Sequence, residues 1–456
     1  MDKIMELASQ RSRYCEVRFM ESDSVASSMR NSEFLGEETS SEEGISIRMV
    51  NNSIAMGYIS SSDTQSVKDM IERLQKRSNM PGRNLIDESG NVVDRWDETG
   101  RRKVQDLQES DRFQILKEND RVMIDHDITT RMNFINHVNT RELYMNSSGS
   151  QISSQFSRIG YFMVGGYKSG TNFEQIYRQF GTTGGMEAFD LLKVSEQIED
   201  AVGNLSLISR SPTAPHGIFD VVVSPEIAGI VAHESCGHPT EWDRIIGREG
   251  SLAGESFLTG KEFPFRIGSD VVSVIDDPTV KRSYGYYKYD DEGIKARKRY
   301  LYKNGYTSEF IHSRESAARM NVQPNGGGRV SQWNREPLAR MSTTYIEPGD
   351  YSFEELVEDV KDGIYIKSYT EWNIDDIRFN EKYVGSEAFI IKNGELKERV
   401  RKPSIEINTI KFYSAIDAVS KELEFYAGTC GKGDPEQGLD TWMGGPSVRL
   451  RQIRIS

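Results

Sequence analysis

Several early stretches of the chain alternate hydrophobic and polar positions. YCEVRFM (14–20), GISIRMV (44–50) and SIAMGYIS (53–60) each show the period of a half-buried strand. The last two flank Asn51-Asn52, and because asparagine tolerates positive φ the pair predicts a hairpin turn in an antiparallel sheet. Cys15 alternates with Glu16 and is expected to face the core as a small hydrophobe. The period then changes. In TQSVKDMIERLQKRS (64–78), Val67, Met70, Ile71 and Leu74 fall on one helical stripe with charges opposite, which predicts a helix packed on that sheet. SDRFQILKENDRVMIDHD predicts a second amphipathic helix beginning at Ser110 or Asp111. Strand-like segments with turns at NSSGS and YKSGT fill 130–180, and 185–208 predicts one long helix that stops near Gly203.

The Pro- and Ser-rich SRSPTAPHG (209–217) reads as a linker. Beyond it GIFDVVV, DVVSVIDDP, YLYKNGYTSEFI, EAFIIKNGELKERV and PSVRLRQIRI are strands separated by glycine turns. A chain of 456 residues exceeds one ordinary core. The expectation is therefore an α+β protein of two domains: 1–212, a mixed sheet with helices, and 213–456, mainly β and carrying the chemistry.

Composition narrows the function classes. A net charge of -13 repels a phosphate backbone, and KARKR (295–299) is the densest basic patch, so nucleic acid is not an expected partner. No stretch approaches the roughly eighteen apolar residues of a spanning helix, so no membrane association is expected. Three cysteines, Cys15, Cys236 and Cys430, lie far apart and cannot form a fully paired disulfide framework. A reducing compartment, the cytoplasm, follows, with each thiol available as a ligand.

The candidate chemistry lies in VVVSPEIAGIVAHESCGHPTEWDRI (221–245). Ser224 is a good N-cap, Pro225 suits the first helical position, and Glu226 favours the positive helix end. Ile227, Ile230 and Val231 form an apolar face, while Ala228, Gly229 and Ala232 allow close packing, so His233 is expected at the end of a short buried helix. His233 and His238 are five apart rather than the four of the common zinc helix, about 140° out of phase on an ideal helix. They can share a metal only if a π-type turn widens the helix or the helix ends between them. Gly237 suits either route because it tolerates backbone angles that other residues resist. Glu234 would then take a proton from the water that the metal activates. The spacing alone is also compatible with two histidines at a helix end. The candidates for a third ligand are Glu241, Asp243, Cys236, His312 and Cys430.

HESCGHPTEWDR, followed in order by VIDDPTV, YDDEG, EPGDYSFEELVEDVKDGIY, AFIIKNGEL and a terminal GTCGK…GGPSVRL, resembles the TldD/PmbA family of metallopeptidases, and within it the TldD branch that carries HExxxH. The resemblance spans essentially the whole chain. It implies that His233, His238 and Cys430 bind the metal and that Glu234 is the catalytic base. It implies a peptidase acting on short or unfolded polypeptides inside a dimer, with a second copy or a PmbA-like subunit as partner. Two imidazoles and a thiolate favour zinc, with iron as the alternative. Gly428 and Gly431 are expected to let the backbone bring the Cys430 sulfur close. Glu241 and Asp243 match an acidic pair that could orient the histidines. Cys236 is expected to pack in the core. Asp276, Asp277, Asp290, Asp291 and Glu292 are expected to build turns and loops, with a second cation site as the alternative. His126, His137 and His216 are expected to be structural.

The rival readings are a non-catalytic PmbA-like partner with a vestigial metal site, and a metallohydrolase acting on amide or ester bonds outside peptides. The chain departs from the resemblance in two places, YTEWNIDDIRF (369–379) and GDPEQGLDTWM (433–443). These stretches are bulkier or more acidic than the glycine-rich segments they replace.

Overall fold

A computed structural model gives the fold and describes residues 1–60, 63–82, 85–170, 172–248 and 254–456. After α1 (Asp2–Ser9), the chain enters β1 (Tyr14–Arg30), β2 (Glu33–Val50) and β3 (Ile54–Ile59), each antiparallel to the next. The alternating stretches 14–20 and 44–50 are the inner ends of β1 and β2, where Tyr14 pairs with Val50 and Cys15 with Met49. Cys15 is fully buried among Val17, Ile47, Met49 and the α2 (Thr64–Ser78) stripe of Val67, Met70, Ile71 and Leu74.

The Asn51-Asn52 turn forms, but not by the expected route. Neither residue has positive φ; Asn51 instead accepts the Arg13 N–H at 2.8 Å and donates to Arg11 O at 3.1 Å, so its side chain ties the turn to the start of β1. The left-handed pair is Asn31-Ser32, with φ of 47° and 68°, and it closes the β1–β2 hairpin.

Among the described residues this first sheet has seven strands, in the order β3-β2-β1-β5-β6-β4, with β7 also on β6. Its remaining members are β4 (Val93–Glu98), β5 (Thr130–Asn146), β6 (Gln151–Ser169) and β7 (Asn172–Thr183). Thr171, the last residue of the YKSGT turn, lies outside the described residues. The second amphipathic helix, α3 (Glu109–Asp125), starts earlier than expected: Gln108 caps it, and Asp111 closes the capping box from within. The stretch 185–208 is not one helix. It forms α4 (Met186–Asp190), α5 (Val194–Gly203) and α6 (Leu205–Arg210), broken before α5 by Lys193 at φ 49°.

Two large sheets, beside a two-stranded pair of Gly328–Arg329 with Leu338–Ala339, carry the C-terminal half among the described residues. The larger has nine strands among the described residues. It runs β16 (Tyr369–Ile374), β17 (Asn380–Gly385), β20 (Ser404–Asn408), β24 (Val448–Ile455), β8 (Gly217–Val223), β15 (Asp362–Ile366), β18 (Glu387–Lys392), β19 (Glu395–Arg401), with β21 (Ile416–Val419) on β24. The smaller runs β11 (Tyr306–Thr307), β10 (Arg299–Lys303), β9 (Val274–Asp276), β14 (Thr343–Ile346), β23 (Gln437–Gly445), β22 (Glu424–Lys432). The main apolar core joins them, and the helix of the histidine motif lies between. Buried charge ties the two halves of the chain together: Arg48 on β2 reaches Glu292 at 2.6 Å, and Arg314 reaches Glu16 at 3.1 Å. The architecture is α+β, as the sequence implies. No helix among the described residues is long and apolar enough to cross a membrane.

Candidate metal centre

β8 lies between β24 and β15, covered on both faces, which is why Val221, Val222 and Val223 form an unbroken apolar run. Ser224 ends the strand and caps α7 (Pro225–Val231), its hydroxyl accepting the Ile227 N–H at 3.4 Å. Every α7 residue is buried. A Cβ at Gly229 would stand 2.7 Å from the Gly444 nitrogen, so the helix backbone rests directly on β23. This close approach carries the end of α7 into the middle of the protein.

There the helix widens. Ala232–Gly237 forms a π turn, one of the two routes the five-residue spacing required, and it brings His233 and His238 to the same side with ring centroids 5.0 Å apart. Side chains bond carbonyls around the wide turn. Ser235 Oγ donates to Val231 O at 2.8 Å, Thr240 Oγ1 to Cys236 O at 2.9 Å, and Tyr302 Oη to Ser235 O at 3.0 Å.

Gly237 is needed for a different reason from the one expected. Its φ of -58° and ψ of -60° are open to any residue, but a Cβ there would fall 1.7 Å from Met341 Sδ. The position needs glycine for space rather than backbone freedom.

The third donor arrives from the far end of the chain. Cys430 lies in β22, paired with Leu439 of β23, and its Sγ is 3.4 Å from His238 Nε2. One ligand atom each of His233, His238 and Cys430 lies within 4.8 Å of the others, and all three residues are buried. Cys430 thus sits in a strand, and its flanking glycines answer to other neighbours. A Cβ on Gly428 would meet Met443 Cε at 2.5 Å, and one on Gly431 would meet Glu436 Oε1 at 2.2 Å.

Electrostatics around the trio favour the forms that bind metal. Burial pushes the His233 and His238 imidazoles below their ordinary range, toward the neutral form. Burial opposes the Cys430 thiolate, but His238 and Arg340 outweigh it and bring the thiol down to about 7. Glu241 Oε2 lies 3.0 Å from His238 Nδ1. Burial would raise this carboxyl, yet Lys432, His238 and Arg244 hold it well below the carboxylate range. An ionised carboxylate only accepts, so this shorter contact puts a proton on Nδ1, with Arg244 Nη2 at 3.4 Å from the same nitrogen, and leaves Nε2 as the nitrogen that faces the Cys430 sulfur.

Lys432, two residues beyond Cys430, is fully buried and donates to Asp243 Oδ1 at 2.7 Å and to Ala339 O at 2.8 Å, with Glu241 Oε2 at 3.3 Å. Arg340 donates to the Cys430 carbonyl. Through these contacts the cation behind the cysteine locks its strand to the acidic pair behind the histidine.

Glu234 lines the same cavity of about 250 Å³ as His233, His238 and Cys430. Its Oε2 is 2.5 Å from Arg378 Nη1. Arg378, Tyr369 and Trp372, all from 369–379, line the cavity too, as does Met443 from the second departure.

The other sequence candidates lie elsewhere. Cys236 packs in the main core. His312 is buried against Trp242, with Nδ1 3.3 Å from Ser316 Oγ. Asp276 pairs with Arg299 and accepts the Ser342 N–H at 2.8 Å, and Asp290 accepts three backbone N–H groups. Asp277 accepts from Thr279, Asp291 from Val330, and Glu292 from Arg48 and Arg314, so these acids build loops as expected. Among the described residues they form no second metal-type cluster. His126 bonds Glu199 at 2.6 Å, whereas His137 is buried with both ring nitrogens unpartnered. Sequence reading missed Lys432, Arg244, Arg340 and Arg378. Two of them carried a local signal: Arg244 lies three residues after Glu241, and Lys432 two residues after Cys430 in the same strand.

The donor set fits a metal. Tetrahedral zinc with bonds of about 2.3 Å to sulfur and 2.0–2.1 Å to nitrogen holds its donors roughly 3.6 Å apart, close to the S···N distance here. His233 Nδ1 is also buried without a hydrogen-bond partner. The fold and site therefore define an α+β protein whose buried cavity is lined by two imidazoles, a thiol and a carboxylate.

Comparison with known proteins carries this further. Residues 216–456 match the PmbA/TldA metallopeptidase C-terminal domain, and residues 15–77 match PmbA/TldA metallopeptidase domain 1. A metalloprotease of Methanothermobacter thermautotrophicus is 27% identical over 446 residues, covering 97% of this chain and 95% of its own. One of Methanocaldococcus jannaschii is 29% identical over 463 residues, covering 98% and 97%. A solved chain from Thermotoga maritima, proposed as a modulator of a DNA gyrase, shares the fold with a TM-score of 0.79 at 16% identity, covering 100% of this chain and 99% of its own. The chain belongs to the PmbA/TldD family of metallopeptidases.

Proposed function

We propose that the chain is a peptidase of the TldD branch that hydrolyses short or unfolded polypeptides with a zinc ion held by His233, His238 and Cys430. The observation that carries this reading is the meeting of those three donors on the cavity that Glu234 lines. Zinc is preferred for the mixed imidazole–thiolate donors. A divalent metal held there supplies Lewis acidity and lowers the pKa of water toward about 7.

The chain's own groups do the rest. Glu241 fixes the tautomer of His238, and Lys432 and Arg340 hold the cysteine strand in place. Glu234 takes a proton from the water that attacks the scissile carbonyl carbon, then returns it to the amine as the C–N bond breaks. Arg178, Glu226 and Tyr426 line both this cavity and a second space of about 670 Å³, volumes suited to an extended chain rather than a folded domain.

The same reading includes a division into domains 1–212 and 213–456, a cytoplasmic setting suited to three free cysteines, and a dimer with a second copy or a PmbA-like subunit. Glu234→Gln tests it: cleavage of unfolded casein should be lost while metal content stays at the wild-type level. Full activity in that variant would sink the base assignment.

A further inference from the structure

Arg378 occupies an unusual position. It lies in the tight connection between β16 and β17, with a left-handed backbone at φ 62° that a non-glycine residue adopts only when its surroundings enforce it. Those surroundings are explicit. Asp375 accepts the Phe379 N–H and the Asn380 side-chain amide at 2.7 Å each, the Arg378 N–H donates to Asp375 O at 2.9 Å, and Thr409 Oγ1 donates to Arg378 O at 3.2 Å. The Phe257 N–H adds a bond to Ile377 O at 2.8 Å. This strap holds the guanidinium in the cavity, where its side chain is 11% exposed.

The charges lining the cavity single it out. Arg178 is matched by Glu226 at 3.1 Å. Among the described residues, the ion-pair partner of Arg378 is Glu234, and its buried Nε has no partner. Taking Glu234 as the base, as proposed above, the pair cannot persist through the reaction. When the attacking water gives its proton to Glu234, that carboxylate becomes neutral. In the same step the oxygen–carbon bond forms and the carbonyl π electrons move onto the substrate oxygen. The negative charge leaves one neighbour of the guanidinium and appears on another group in the same cavity.

We propose that Arg378 is a catalytic residue that binds the oxyanion developing on the scissile carbonyl, taking up the substrate charge as Glu234 is neutralised. A planar guanidinium suits this exchange, because it can keep one N–H on Glu234 while its free donors turn to the substrate oxygen. Without that oxygen, the protonated state of Glu234 would leave a buried cation uncompensated. The proposal also assigns a task to one of the two stretches where this chain departs from its family resemblance.

Arg378→Gln and Arg378→Lys test it. With metal content unchanged, Arg378→Gln should lower kcat by about 10²–10³-fold with little change in KM, on peptides with free and with amidated C-termini alike. Arg378→Lys should retain part of the lost rate, and added guanidinium should restore part of it in Arg378→Ala. Calorimetric binding of a peptide phosphonamidate, a tetrahedral anion, should weaken at least 10-fold in Arg378→Gln. That binding is read without turnover, so a wild type that cleaved no peptide would refute the peptidase reading and still leave Arg378 testable. An unchanged kcat with unchanged phosphonamidate affinity would overturn the proposal. So would a loss confined to KM for free-carboxylate peptides, which would make Arg378 an anchor for the chain terminus. Loss of metal in both the Gln and Lys variants would equally overturn it, by making the strap structural.

Discussion

Replacing Gly237 by alanine isolates what the wide turn requires. The residue is helical, at φ -58°, so propensity alone would favour alanine by about 0.8–1.0 kcal/mol. The new methyl, however, would stand 1.7 Å from Met341 Sδ and 3.0 Å from Met341 Cε and Cγ. Ordinary carbon contacts are about 3.5–4.0 Å, so the sulfur would have to retreat by roughly 2 Å. Met341 is 1% exposed and has no solvent to move into. Overpacking of this kind costs about 1–3 kcal/mol, and Gly237→Ala should destabilise by that amount. The sign should then depend on the neighbour. Met341→Ala opens a cavity and by itself costs about 2–5 kcal/mol. In that background the added methyl has room, and Gly237→Ala should become neutral or stabilising by up to about 1 kcal/mol. Urea unfolding of the four members of the cycle measures both values, provided the m-values agree. An equal penalty in the two backgrounds would refute the spatial explanation and return the glycine to a backbone role.

Two further outcomes follow from groups around and beyond the site. Glu241→Gln removes the ionised acceptor behind His238, and metal affinity measured by chelator competition should fall about 10–100-fold with the fold intact; unchanged affinity would contradict the tautomer argument. Burial is the main force lowering the His312 imidazole to about 4, against an unfolded value near 6.5. Because the unfolded chain takes up the proton first, the contribution of His312 is complete above pH 6.5. It is lost as pH falls toward and through 4, by about 3 kcal/mol in all. Wild type should therefore lose more stability over that window than His312→Gln, and parallel pH profiles would exclude the effect.

Much of the architecture is legible in the sequence where one face of an element is buried. The α2 stripe is of this kind, whereas at the inner ends of β1 and β2 both faces are buried and the alternation survives because Glu16, Arg18, Ser46 and Arg48 fill one face with buried polar groups. The outer parts of the same two strands, through SDSVASSMR and EFLGEETSSEE, are half-buried or exposed over most of their length, so they carry little alternation to read. The ladder itself and the Asn31-Ser32 turn make them strands. The break at Lys193 is hidden for a related reason: Leu191 and Leu192 fill the five-residue gap between buried Phe189 and Val194, so the apolar run continues up to a residue in the left-handed region.

At the site, the histidine pair required either a wide turn or a helix end, and the structure forms the π turn. Cys430 was named through family resemblance, since nothing local links β22 to α7. Glu241 stood in the sequence as a possible ligand, and its contact with His238 Nδ1 makes it an orienting group. Arg340 and Arg378 carry no spacing signature, and Lys432 only its place two residues after Cys430. Their importance comes from long-range contacts: Lys432 with Asp243, Arg340 with the Cys430 carbonyl, and Arg378 with Glu234.

The central claim is that a cysteine at the end of the chain closes a metal site begun by two histidines nearly two hundred residues earlier. Cobalt(II) added to the metal-free protein tests it directly, because a thiolate ligand gives a sulfur-to-cobalt charge-transfer band in the near ultraviolet and tetrahedral coordination gives intense visible bands. Wild type should show both. Cys430→Ser should lose the charge-transfer band, and His233→Ala and His238→Ala should each weaken cobalt binding. A charge-transfer band that persists in Cys430→Ser would contradict the account.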